Sequence, residues 1–571
     1  MNRTLVLTVL ILATGLARAQ DVAGDWQGTL HAGGAELRLV LHITKAADNT
    51  LKATLDSIDQ PGGNGIPVSS ISLKDSKLSL GIDAVYGTYE GNVAPDAQTI
   101  TGTWTQANPL PLEFKRSTMP AKTEHKLAKP SDIDGAWMGS LDTGAMKLRV
   151  VFHIVNTEDG LTATLDSPDQ GMKGIPTTAV TRTGDLLKIE VKSLAGLFEG
   201  KIAPDVSAID GKWTQGGGTL TLLLKPVKNE SEFELKRPQN PVKPYPYREE
   251  EVSYTNSQQN VTLAATLTIP QGRGPFPGVV LITGSGPQDR DESILGHKPF
   301  LVLSDYLTRH GIAVLRADDR GTAKSTGVFA TATTADFATD VEAGIAYLKT
   351  RPEINSRKMG LIGHSEGGVI APMVAARNKD VAFIVMMAGT GVRGDDVLVA
   401  QGEAIEIASG KSPEEAAKSA AKEREMLTLV ETEKDEALLE KELKEKLAGE
   451  VPEPLIGSQI KQVTSPWFRF FLTYDPATAL RKVTCPVLAI NGSLDKQVLP
   501  TQNLPPIREA LKQASNQHVE VDELPGLNHL FQPAKTGSPS EYAEIEETIS
   551  PVALEKMSTW ILKQQPPGNR Q

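Results

Sequence analysis

The front of the chain is written twice, and this duplication limits the folds open to it more than any other feature. Gly24 to Phe114 can be laid on Gly135 to Leu224. Gly24-Asp25-Trp26-Gln27-Gly28 matches Gly135-Ala136-Trp137-Met138-Gly139, and LRLVLHI at 37–43 matches LRVVFHI at 148–154. ATLDSIDQ at 53–60 matches ATLDSPDQ at 163–170, and YEGNVAPD at 89–96 matches FEGKIAPD at 198–205. The step between equivalent residues is 111 at Gly24/Gly135 and 109 at Gly102/Gly211. One module has therefore been copied, and whatever it folds into must form twice.

Each copy reads as β. LRLVLHI, TLKATLDS, KLSLGI and GTYEGNV are short, alternating or β-branched, and bounded by Gly, Asn, Asp and Pro. Strands so closely spaced predict a small antiparallel β-barrel or sandwich, repeat 1 over 20–118 and repeat 2 over 131–228. Trp26, Trp104, Trp137 and Trp213 are expected as core plugs. His42 and His153 occupy equivalent strand positions and read as packed or rim residues. Neither copy pairs a nucleophile with a base.

Ahead of the repeats, residues 1–19 read as a signal peptide. Arg3 supplies a positive start, Leu5 to Leu12 an apolar stretch, and Ala17-Arg18-Ala19 a small-x-small cleavage signal before Gln20. The expectation is an exported protein, periplasmic or secreted from a bacterium, with no integral membrane segment in the mature chain. Lys plus Arg is 59 against 70 Asp plus Glu, a net charge of −11, which disfavours nucleic acid as a partner. The single cysteine, Cys485, excludes an internal disulfide and a cysteine-based zinc cage.

A proline-rich stretch, KRPQNPVKPYPY at 236–247, cannot be helical and reads as a stiff linker. Beyond it, over 248–566, the pattern changes. A hairpin is expected in EVSYTNSQQNVTLAATLTIP, followed by apolar strands that alternate with amphipathic helices. GVVLITG, IAVLRAD, KMGLIG, AFIVMMAG and PVLAING are the strands that predict a mainly parallel sheet covered on both faces.

Within that sheet, Gly363-His364-Ser365-Glu366-Gly367 is a G-x-S-x-G box between an apolar strand and a helix-forming run. A nucleophilic serine needs this strained strand-to-helix turn, and small neighbours let the backbone pass closely. It also needs a base and an acid, in the chain order Ser, acid, His. Two histidines follow Ser365. His518 opens a strand and reads as structural. His529, in Pro525-Gly526-Leu527-Asn528-His529, sits where a loop can present an imidazole. Asp495, at the end of PVLAINGSLD, is the chosen acid over Asp475 and Asp522. The oxyanion hole is expected from the backbone N–H of Glu366 and of Ser285, with Gly286 as second choice.

Four motifs now carry a resemblance: TGSGPQDRDE (283–292), DDRGTAKSTG (318–327), GHSEGG (363–368) and LPGLNHLFQ (524–532). In this order they resemble the bacterial α/β-hydrolase carboxylesterase family, over about 250–565 and not over the repeats. The resemblance implies an α/β-hydrolase fold and ester hydrolysis through Ser365, Asp495 and His529. Related enzymes often carry His before the oxyanion Gly-x-Gly, where this chain has Thr283. Asp289, Arg290, Asp291, Asp319 and Arg320 are expected to form an ion-pair network that fixes the loop.

The stretch at about 392–482 exceeds what the sheet needs and reads as a helical cap. Ser412-Pro413-Glu414-Glu415 is a helix start. Trp467, Phe468 and Phe471 belong to an aromatic run that could seat the cap or line the substrate pocket.

The sequence thus predicts two small antiparallel β-repeats followed by an α/β-hydrolase domain with a helical cap. The expected activity is that of a serine carboxylesterase acting on a small-molecule or lipid-like ester, with no cofactor and no metal. Two rivals stand beside it. One is a peptidase or amidase of prolyl-oligopeptidase type. The other is a lipid- or glycan-binding protein with an inactive hydrolase half.

Overall fold

The computed structural model describes residues 22–564 apart from 33–34, 46–49, 58–65, 75, 83–86, 107, 117–126, 143–146, 171, 216–217, 230–235 and 450–452. The expected signal peptide at 1–19 lies outside the described residues. The chain divides into two compact units, Met1–Glu124 and His125–Gln571.

The first unit is a nine-stranded antiparallel meander. Its first strand, Gly24–Ala32, pairs with Ala35–Lys45 on one side and with the last strand, Asn108–Arg116, on the other. First-to-last pairing curls the sheet into a barrel-like ring, open between Ile66–Pro67 and Ser70–Lys74. Period-two alternation sends one face inward: along Gly87–Val93, Tyr89 and Val93 are buried while Thr88, Glu90 and Asn92 are exposed. Trp26 is buried and donates its indole N–H to the Val22 carbonyl at 2.9 Å. Tyr89 meets Phe114 edge-on.

The second unit opens with the same meander. Gly135–Asp142 pairs with Lys147–Thr157 and with the ninth strand, Gly218–Val227. Trp137 repeats the Trp26 bond, to Ile133 at 2.8 Å, and Phe152, Phe198 and Trp213 fill the core. The tryptophans are core residues, as expected. His42 lies between Asp25 (2.7 Å) and Asp56 (3.1 Å), and His153 reaches Asp166 at 2.9 Å.

The rest of the second unit is built on an eight-stranded sheet. Across it run Arg248–Asn256, Val261–Ile269, Ala313–Ala317, Phe276–Ile282, Ile354–His364, Phe383–Met387, Val487–Gly492 and Val519–Leu524. The first two strands form the expected hairpin, Val261–Ile269 is antiparallel to Ala313–Ala317, and the later pairs are parallel. Alternation explains the two covered faces. Val280, Leu361, Ile384 and Ala489 join a core with helices Thr334–Lys349, Gly367–Ala375 and Pro500–Gln513. Val279, Ile362, Val385 and Leu488 join another with helices Pro299–Arg309 and Pro551–Lys563. Strands buried on both faces read as continuous apolar runs. This is the α/β-hydrolase arrangement anticipated for this part of the chain.

Helices Gly394–Ala408, Pro413–Thr432, Glu436–Leu447, Glu453–Val463 and Pro466–Thr473 fill the stretch between Met387 and Val487. Ser412 and Glu415 form the expected capping box, and Ser465 caps the helix that carries Trp467. These helices own a core that includes Leu427, Val430, Leu439, Leu443 and Leu472.

The 236–247 stretch is not helical, but it does not act as a bare spacer. Arg237 donates to the carbonyls of Leu295 (2.8 Å), Ala543 (3.0 Å) and Ile545 (3.2 Å). Gln239 Oε1 accepts the N–H groups of Thr548 (2.6 Å) and Ile549 (3.0 Å). The segment is strapped to the part built on the eight-stranded sheet by side chains that composition alone does not single out.

Candidate active site

Ser365 stands at the junction of strand Ile354–His364 and helix Gly367–Ala375. Its φ is 53°, a left-handed conformation that costs a non-glycine residue and is stored at functional sites. The turn is held from both sides: Ser365 N–H donates to the Met387 carbonyl (2.8 Å), and Gly368 N–H donates to the Ser365 carbonyl (2.9 Å). The flanking glycines are sterically required. A Cβ on Gly363 would lie 1.9 Å from the Gly367 carbonyl oxygen, and one on Gly367 would lie 2.2 Å from that of Ile282.

Asp495 and His529 are brought together from loops that follow neighbouring strands. His529 Nδ1 lies 2.8 Å from Asp495 Oδ2, with both residues buried. Asp495 Oδ1 accepts the N–H groups of Gln497 and Val498, each at 2.8 Å, which fixes the carboxylate plane. The other candidates are engaged elsewhere. Asp475 Oδ1 accepts Ala477 N–H at the start of a short helix, Asp522 pairs with Lys556, and His518 is exposed.

The Gly284-Ser285-Gly286 loop runs past the serine, since a Cβ on Gly284 would lie 3.3 Å from Ser365 Cβ. Gly284 N–H is already used, donating to Glu292 Oε1 at 2.9 Å. Among the described residues, the N–H groups of Ser285, Gly286 and Glu366 carry no hydrogen bond.

The expected ion-pair network forms at Arg290, Asp291 and Arg320, whereas Asp289 and Asp319 are held by hydrogen bonds, Asp289 by Asp291 N–H and Ser293. Arg290 grips Asp318 with two bonds (2.9 and 2.7 Å) and reaches Glu251 at 2.8 Å. Asp291 pairs with Arg316 and Lys298, and Arg320 with Asp340. Asp319 accepts from the Thr283 hydroxyl (2.8 Å) and from Gln288 N–H (2.9 Å). Thr283 thus anchors its loop through a hydroxyl. Burial lifts the Asp319 carboxyl well above the usual range against those bonds, with Glu366 and Glu292 adding to the lift.

The aromatic run divides. The Trp467 indole N–H donates to Glu366 Oε1 at 2.8 Å, and its ring stacks on Phe471 at 5.6 Å. Phe471 lines a small cavity with Glu366, Thr334 and Thr390. Phe468, also expected at the substrate, is instead buried in the core of the helical insertion, so its role is to seat those helices. Glu366 Oε1 also accepts from Thr334 (2.6 Å), and burial raises its carboxyl despite both bonds.

Sequence reasoning did not single out His364, Glu292, His297 or Gln532. His364 lies between Glu292 and the His529 carbonyl, its ring 4.9 Å from that of His529. His297 is buried against Thr548 and the Tyr542 carbonyl, and burial with nearby Arg237 pushes its imidazole down to about 4. The GHS and RDE triplets contain His364 and Glu292, but only their meeting in space gives them a role. Among the described residues, no group of three or more His, Cys, Asp or Glu side chains is placed to hold a metal ion. No helix among them is long and apolar enough to cross a membrane.

With the geometry in hand, comparison with known proteins gives three kinds of likeness. The X-Pro dipeptidyl-peptidase (S15) family matches residues 259–521. Esterase EstD of Thermotoga maritima is 27% identical over 304 residues, which make up 53% of this chain and 66% of that relative. The chain therefore spans just under two thirds of the relative's length. Among solved structures, an esterase of Pyrococcus furiosus is 17% identical with a TM-score of 0.37, the match covering 56% of this chain and 91% of that one. Est1E of Butyrivibrio proteoclasticus, solved with ferulic acid, is 19% identical with a TM-score of 0.33, covering 55% of this chain and 98% of that one.

Proposed function

We propose that the chain is an exported serine carboxylesterase that forms an acyl-enzyme at Ser365. The observation that carries this reading is the 2.8 Å His529–Asp495 bond, made by an acid and a base that follow, in order, a serine held at φ 53°. With Nδ1 of His529 facing Asp495, Nε2 is left to take the Ser365 proton as Oγ attacks the acyl carbon. The oxyanion that forms would be met by Glu366 N–H and by Ser285 or Gly286 N–H. The imidazolium then returns its proton to the leaving alcohol. Water, activated by the same imidazole, releases the acid and restores Ser365. Trp467 and Phe471 are the apolar wall we assign to the acyl group. The likeness to an esterase of Thermotoga maritima supports the choice of an ester as substrate.

A second reading, hydrolysis of peptides, is favoured by the S15 family match. The same triad serves both, so substrate decides. The purified protein is assayed with p-nitrophenyl esters of rising chain length beside Xaa-Pro nitroanilides. Faster turnover of the esters supports the first reading, and faster turnover of the nitroanilides replaces it with the second. Ser365→Ala should lower kcat on the order of a million-fold and abolish labelling by a fluorophosphonate. Full labelling of that variant would mean that another serine is the nucleophile.

A further inference from the structure

The imidazole next to the proposed nucleophile has two partners, and both accept. His364 Nδ1 lies 2.9 Å from Glu292 Oε1, and His364 Nε2 lies 3.0 Å from the backbone carbonyl of His529. A neutral imidazole has one N–H to give and can donate to only one of them. A backbone carbonyl can only accept. Glu292 Oε1 already receives Gly284 N–H at 2.9 Å, which suits a carboxylate oxygen. Both His364 and Glu292 are buried, so an unmet partner would be costly. Glu292 moreover holds its place at φ 54°, a conformation that surrounding contacts must maintain.

We infer that His364 is an imidazolium paired with the Glu292 carboxylate, and that this buried pair positions the site by tying the oxyanion loop to the loop of His529. The chain of contacts is continuous. Gly284 N–H binds Glu292, Glu292 binds His364, and His364 binds the His529 carbonyl. His364 is a positioning residue, since it acts through these loops. The other charged group facing it is Asp495, and the His529 ring lies 4.9 Å away. Burial by itself would push the His364 imidazole down. The Glu292 charge and hydrogen bond, the His529 carbonyl and Asp495 outweigh it, and the net direction is up. When His529 takes the serine proton, two imidazolium ions then face two carboxylates, so the added charge is balanced.

The positioning role rests on the esterase reading; the protonation state does not, and the test separates them. Nitrogen-15 NMR of the full chain with labelled histidine, assigned through a His364→Gln variant, reads both ring nitrogens. The expected result is that both carry protons at neutral pH. In Glu292→Gln the imidazolium loses its counter-charge and gives up its proton at lower pH than in the parent. Its kcat on p-nitrophenyl butyrate should fall on the order of a hundredfold. KM should change by less than about threefold, because the loss lies in transition-state geometry. The proposal expects kcat to fall as His364 loses its proton, and this alkaline limb should move to lower pH in the variant. A bare ring nitrogen on His364 at neutral pH in the parent protein overturns the proposal, and that measurement stands even if Glu292→Gln does not fold. A folded Glu292→Gln with parental kcat and an unmoved alkaline limb overturns the positioning role. Failure of the parent to accept a fluorophosphonate would instead count against the esterase reading.

Discussion

Replacing Asp495 by Asn tests how the acid works, because the structure fixes both oxygens of the carboxylate. Oδ1 accepts two backbone N–H groups, from Gln497 and Val498, while Oδ2 faces His529 Nδ1. An asparagine has one oxygen for these two sides. If that oxygen faces His529, the amide NH2 opposes the buried Val498 N–H and the half-buried Gln497 N–H. An unmet buried donor costs about 1–3 kcal/mol and a half-buried one less, so this orientation is disfavoured by roughly 1–3 kcal/mol or more. The oxygen therefore stays with Gln497 and Val498, and the NH2 points at His529. Nδ1 must then accept, which puts the ring proton on Nε2, where it cannot take a proton from Ser365. The expected loss is about ten-thousand-fold in kcat on p-nitrophenyl butyrate. That is roughly 5 kcal/mol of transition-state stabilisation, with little change in circular dichroism. Asp475→Asn is the matched control, since an asparagine Oδ1 can accept Ala477 N–H as the carboxylate does. It should stay within about twofold of the parent. A folded Asp495→Asn that keeps more than about a tenth of parental kcat would refute the tautomer argument. A crippled Asp475→Asn would move the acid into the helical insertion.

Three further outcomes are expected. Gly367→Ala places a Cβ 2.2 Å from the Ile282 carbonyl oxygen and should destabilise the fold by about 1–3 kcal/mol or more, read as a lowered Tm; an unchanged Tm contradicts the close approach. A truncation starting at Lys236 should keep the hydrolase half folded and active on small esters, whereas one starting at Tyr245 loses the Arg237 and Gln239 bonds and should melt earlier; equal Tm values would show that the strap contributes nothing. The His364 imidazole is raised in the folded protein, so its contribution to stability is complete below its ordinary value of 6.5 and disappears as pH rises through the higher folded value. The Tm gap between the parent and Glu292→Gln should therefore narrow as pH rises from 6.5, and a gap that widens over that interval reverses the sign.

Local pattern carried much of this architecture. The helix over Pro299–Arg309, the helix over Pro551–Lys563 and the box at Ser412 follow from periodicity and caps that lie within a few residues of each other. The strained serine is legible too, because glycines at 363 and 367 are needed within five residues of chain. What was not legible joins distant residues. His364 meets Glu292 across 72 positions and the His529 carbonyl across 165, and Arg237 reaches Ile545 across 308. Nothing in a histidine's neighbours reveals that both of its nitrogens will face acceptors. Phe468 illustrates the converse. An aromatic beside Trp467 can face the substrate or the helical core, and one hundred degrees of helical turn separates them. The linker's composition excluded a helix correctly, yet docking was decided by Arg237 and Gln239.

The buried carboxylates around the site share a design that bears on what can loosen it. Asp495 joins its own loop to His529, and Glu292 joins the Gly284 turn to His364. Asp319 joins Thr283 and Gln288, and Glu366 joins Thr334 to Trp467. Asp495, Glu292 and Glu366 are buried and take donors from separate segments, and the half-buried Asp319 takes both of its donors from the 283–288 loop, so each acts as a staple. The chain's single cysteine leaves no internal disulfide to share that task. Staples of this kind differ from disulfides in how they fail. Removing one partner of the buried Glu292–His364 pair costs about 3–5 kcal/mol because the other is left uncompensated, whereas a change of redox conditions leaves these bonds intact. Order at the site should therefore follow the protonation of His364. Glu366 adds a second consequence, since its backbone N–H is assigned to the oxyanion while its side chain holds Trp467. Under the proposed mechanism, an acyl group that pushes Trp467 outward would pull on Glu366 through this bond, so acyl fit and the rate of attack at Ser365 should be coupled.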